Sequence, residues 1–87
     1  MVHAILVTMN AVLMQVVEEF AAFLEFGKAD QLDPKFADWG RSRLRTLLVG
    51  LSADEKRELA AFLASEYEQS DGAYRTWIKD LPSQLGL

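Results

Sequence analysis

The sequence predicts an all-α protein: a small bundle of three main helices plus a short C-terminal helix, in one domain spanning residues 1–87. Three observations predict it. Apolar residues recur at three- and four-residue spacing over long stretches, the period of a helix face. Start and stop signals stand where that spacing breaks, at Gly27, Asp33-Pro34, Gly50, Ser52 and Ser70-Asp71-Gly72. No stretch alternates apolar with polar residues as a half-buried strand would.

Helix one is expected from about Ala4 to Phe26, with Met9-Asn10 as an alternative start. Ile5, Met9, Val12, Leu13, Val16, Val17, Phe20, Phe23 and Leu24 make its apolar side, and Asn10, Gln15, Glu18, Ala22 and Glu25 its other side. That apolar side is wider than one facing helix covers. Two covering helices, or one helix and a second subunit, would account for it. Gly27 is expected to stop the helix in the left-handed conformation. Gly27–Leu32 connects to helix two, which Asp33 caps and Pro34 opens.

Phe36, Ala37, Gly40, Leu44, Leu47 and Leu48 form the stripe of helix two, with Gly40 allowing close approach of a neighbouring helix. Gly50 ends that helix. The link into Ser52 is short enough to predict an antiparallel hairpin of helices two and three. Helix three is the clearest element. Ser52 with Glu55 three residues later is a capping box, Asp54 and Glu55 suit the positive end of the helix dipole, and Leu59, Phe62, Leu63 and Tyr67 form one stripe. A short fourth helix is expected over about Ala73–Asp80, carrying Tyr74, Trp77, Ile78 and Leu81. Pro82 should end it and leave Ser83–Leu87 as a loose tail, with local packing of Leu85 and Leu87 as the alternative.

Composition narrows the function. Half of the chain, 51%, is apolar and a quarter is charged, which suits a globular domain. Cysteine is absent, so neither a disulfide nor a thiolate metal site is available. The net charge of −4 divides into −3 over residues 1–32, +2 over 33–50, −3 over 51–70 and zero beyond. An acid excess disfavours nucleic acid, whose recognition leans on phosphate neutralisation, and favours a basic protein partner. The N-terminal stretch has no Lys or Arg before Lys28, and His3, Asn10 and Gln15 interrupt it. It therefore lacks the basic start of a signal peptide and the clean apolar run of a spanning helix, which leads to an expectation of no membrane partner and a cytoplasmic location.

Candidate chemistry is sparse. His3 is the sole histidine and has no Glu-x-x-His partner pattern, so no metal or other cofactor is expected. The serines lack a nearby base, Ser52 already has a capping role, and no Gly-rich phosphate loop is present. An enzyme is not expected. Arg41 and Arg45 share a face of helix two, with Arg43 roughly opposite. A helix-turn-helix reading would send helix three, rich in Asp and Glu, into the major groove, so ion pairing with acidic helices is the preferred role of the arginines. The hairpin register predicts that Arg41 meets Glu66. Trp77 with Ile78 is expected to anchor the last helix. Trp39, off the stripe of helix two, is either a cap on the core or a partner-binding anchor.

Phe20-x-x-Phe23-x-Glu25-Phe26, then Asp33-Pro34, then Leu48-x-x-Leu51-Ser52-x-x-Glu55 with Phe62 beyond resembles small acidic helical immunity-type proteins encoded beside bacterial toxins. The resemblance covers roughly residues 17–62 and consists mostly of caps and core. It implies a binding protein that occludes a basic surface of one cognate toxin, with charge complementarity speeding encounter. The exposed acidic faces of helix one (Glu18, Glu19, Glu25) and helix three (Glu58, Glu68) are the expected contact residues, with Trp39 beside them. The alternative is a structural or adaptor homodimer, in which the broad apolar side of helix one pairs with its copy across a two-fold axis.

Overall fold

The computed structural model describes residues 10–27 and 32–87. Among the described residues the chain is all-α: α1 is Ala11–Phe26, α2 Pro34–Leu48, α3 Ala53–Gln69 and α4 Gly72–Gln84. The alternative start holds for α1. Asn10 is not on the helix face but caps it, its side-chain oxygen accepting from the Val12 amide at 2.7 Å. The Ala4–Met9 part of the expected helix, with His3, Ile5 and Met9, lies outside the described residues.

Two other starts follow their sequence signals. The Asp33 carboxylate accepts from the Lys35 amide at 2.7 Å, with Pro34 at the first helical position. The Ser52–Glu55 box is complete: the Glu55 amide donates to Ser52 Oγ at 3.1 Å and the Ser52 amide to Glu55 Oε1 at 2.8 Å. Gly27 differs from expectation, for its φ of −62° and ψ of 141° are extended rather than left-handed. Its lack of a side chain serves space instead. A Cβ there would lie 2.7 Å from the Phe23 carbonyl oxygen and 2.9 Å from Leu32 Cδ2.

Packing departs from the hairpin. α3 lies along α4 and against α1, while α2 rests on α1 rather than folding back along α3. The cause is the small-residue side of α2. Ala37 and Gly40 are buried, and a Cβ on Gly40 would come within 2.8 Å of Leu24 Cδ2, so α1 is admitted where α3 was expected. Phe36 and Leu47, expected in the α2 stripe, stand exposed. The main core joins Met14 and Ala21 of α1, Leu48 at the end of α2, Leu59 and Leu63 of α3, and Trp77, Ile78 and Leu81 of α4. Leu24, Leu32 and Ala37 make a smaller second cluster.

α4 runs longer than expected. Pro82 lies inside it, and Leu85 closes it with a hydrogen bond to the Leu81 carbonyl at 2.9 Å. Proline removes one amide donor, but it sits near the C-terminal end, where little helix remains to be disrupted. Burial of Leu81 and Leu85, one turn apart, favours continuation. Ser83–Leu87 is therefore not a loose tail: Leu85 is a core residue, and Leu87 packs against the same core.

Candidate protein-binding surface

The face that α1 turns inward is not the one its largest apolar residues occupy. Met14, Glu18, Ala21 and Leu24 are buried. Val12, Leu13, Val16, Phe20 and Phe23 face solvent, with exposures of 66, 57, 57, 37 and 44%. At 100° per residue these five span a stripe about 100° wide on the side opposite Met14 and Ala21. Glu19 flanks the stripe and accepts from Gln15 Nε2 at 2.7 Å. Leu13, Val16, Phe20 and Phe23 follow a three-four-three spacing, the repeat by which one helix seats on another. α2 adds a second exposed apolar feature, the Phe36 and Trp39 rings 5.6 Å apart. Trp39 is thus not a cap on the core; its partner-anchor reading stays open.

Glu18 is a correction. It was expected on an exposed acidic face, and it is 5% exposed, within the core. It lies on the buried side of α1 between Met14 and Ala21. Its Oε2 accepts from the Tyr74 hydroxyl, while Oε1 is buried without a partner among the described residues. Burial raises the Glu18 pKa above the ordinary carboxylate value. The Tyr74 hydrogen bond opposes that rise, and Glu66 and Glu19 add to it. Burial likewise raises the Tyr74 pKa, and its hydrogen bond to Glu18 raises it further. Tyr74 also stacks on Phe26 at 5.9 Å and meets Trp77 edge-on at 5.2 Å, so Glu18 lies beside the aromatic seam that seats α4 on α1.

The remaining acidic candidates do not assemble into one face. Glu25 is exposed but lies 3.8 Å from Arg41, which also contacts Asp38 at 3.2 Å and donates to the Leu24 carbonyl at 2.9 Å. The expected Arg41–Glu66 pair is therefore replaced by pairs on α1 and α2, as the altered packing of α2 requires. Glu58 is half-buried and Glu68 exposed, in opposite halves of α3. A cleft of about 350 Å³ opens between α1, α2 and α4, with Leu24, Leu44, Leu81 and Leu85 as apolar lining and Arg41, Arg45 and Gln84 as polar lining.

Sequence reasoning allowed a second subunit on the broad apolar side of helix one but did not say which of those residues face outward, because spacing alone does not say which part of so wide a side faces in. One signal was present. Ala21 and Leu24 are the positions that could meet Gly40 and Ala37 closely, whereas Phe20 and Phe23 are too large for such a contact. No described helix is long and apolar enough to cross a membrane. Comparison with known protein families, curated proteins and solved structures gives no match.

Proposed function

We propose that this chain is a non-catalytic protein-binding module whose binding element is the outer face of α1. The exposed stripe from Val12 to Phe23 supports this reading. Two phenylalanines and three aliphatic side chains in one stripe oppose solvation, whereas scattered apolar residues do not call for a partner. Aromatic anchors of this kind dominate binding energy at protein interfaces. A photo-crosslinking residue placed at Val16 or Phe20 in the host cell tests it. One adduct of reproducible mass is expected at both positions, lost when Leu13→Glu is added and absent with the crosslinker at Thr46 on α2. Absence of any adduct at both α1 positions would overturn the reading.

A second reading keeps the immunity-type partner, a basic toxin domain. The net charge of −4 and the exposure of Glu19, Glu25 and Glu68 favour it. Burial of Glu18 and the engagement of Glu25 by Arg41 leave it less acidic surface than the sequence suggested. Mixing the purified chain with the product of the adjacent reading frame is the test. A complex that weakens steeply with added salt supports this reading, and no association at low salt rejects it.

A further inference from the structure

We infer that the occupant of the α1 stripe is a second copy of this chain, its α1 antiparallel to the first across a two-fold axis. The inference rests on the protein-binding reading of the same face. The five side chains leave on the order of 500 Å² of apolar surface in water, taking aromatic side chains at 150–250 Å² each and scaling by exposure. A standard interface covers about 800 Å² per partner, and homodimer interfaces are about 65% apolar. The stripe by itself therefore supplies the apolar portion that a stable dimer needs.

Spacing points to a helix as the covering element. The alternating three-four repeat of Leu13, Val16, Phe20 and Phe23 is a seam that accepts another helix. A two-fold pairing needs one self-complementary patch and no further component. The antiparallel sense follows from how the residues are distributed. The aliphatic half of the stripe precedes the aromatic half. Antiparallel helices set Val16 against the copy's Phe20 and Leu13 against the copy's Phe23, so each layer joins one small and one large side chain. A parallel pair would crowd four rings at one end. It would also bring Glu25 of both copies to the same end, with no basic residue on α1 to offset them. The antiparallel pair sets the two Glu25 side chains at opposite ends and opposes the two helix dipoles.

Light scattering on the purified chain at tens of micromolar is the test. The expected mass is twice 9.8 kDa. V16E and F20E should each give the monomer mass with an unchanged helical circular-dichroism signal, because both positions are exposed and no core contact is removed. Thr46→Glu should stay dimeric. A wild-type monomer, or a dimer indifferent to V16E and F20E, overturns the inference. Should the crosslinking experiment then give an adduct with a different protein, the binding-module reading stands without this one. Because the chain lacks cysteine, orientation is readable separately. Mixed V16C and F20C chains should oxidise to the mixed disulfide in preference to either homodisulfide, and the reverse preference overturns the antiparallel arrangement.

Discussion

A carboxyl group that is buried, half-satisfied and beside other acids responds to pH in a definite direction. Folding raises the Glu18 pKa above 4.5, so the folded state holds that proton more tightly than the unfolded chain does. The stabilisation is fully present below pH 4.5 and is lost as pH rises through the raised folded value. Glu18→Gln keeps the shape and an acceptor for Tyr74 but cannot ionise. Its stability, measured by urea unfolding, should fall less than the wild type's between pH 5 and neutrality. A steeper fall in the variant would contradict the assignment. Gly40 offers a steric counterpart. Alanine there would gain about 1 kcal/mol of helix propensity but thrust a methyl into buried Leu24, a clash of the kind that costs about 1–3 kcal/mol. A net loss of about 1 kcal/mol is expected in denaturant midpoint, and a stabilised variant would show that α2 stands farther from α1. Ser52→Ala, which removes the acceptor of the Glu55 amide, should cost about 1 kcal/mol by the same measurement.

At the level of elements, what could be read in advance depended on whether the determinants were local. α3 begins at the expected residue because the Ser52–Glu55 box operates within four residues of itself. Its stripe faces inward because Leu59 and Leu63 lie on its one continuous apolar side. α1 resisted the same reading, since a helix apolar on both sides is oriented by its neighbours. Gly40 and Ala37, far along the chain, select Leu24 for the inside. The end of α4 resisted for a similar reason. A proline signals a stop locally, and the burial of Leu85 that carries the chain past it is a tertiary effect. Leu85→Ala should accordingly cost about 2–5 kcal/mol, the range for a buried leucine, whereas a loose tail residue would cost almost nothing. A thermal melt separates the two outcomes.

For the molecule as a whole, α1 holds Leu24 against α2 and Glu18 against α4, while its Val12–Phe23 stripe stands exposed. Under the pairing inferred above, folding and association are thermodynamically linked: a dimer's melting temperature rises with protein concentration, a monomer's does not. A tenfold dilution should lower the midpoint of the wild type and leave that of F20E unchanged. Equal midpoints for the wild type across that dilution would detach stability from pairing. The all-α architecture and helix order were legible because apolar period and capping signals agree. Which residues of the broad apolar side of α1 stay exposed was not, because by type alone all of them belong in a core.

The two tryptophans occupy opposite environments, and this gives the molecule an optical signature. Trp77 is 9% exposed and held against Tyr74 and Phe26, whereas Trp39 is 57% exposed. Indole emission moves to shorter wavelength in apolar surroundings, so the native spectrum should be a sum of a blue and a red component. Acrylamide should extinguish the red component first. Departure of α4 would then show itself as loss of the blue emission alone, while a ligand settling on the Phe36–Trp39 pair would shift only the red. Each event is visible without attaching a dye.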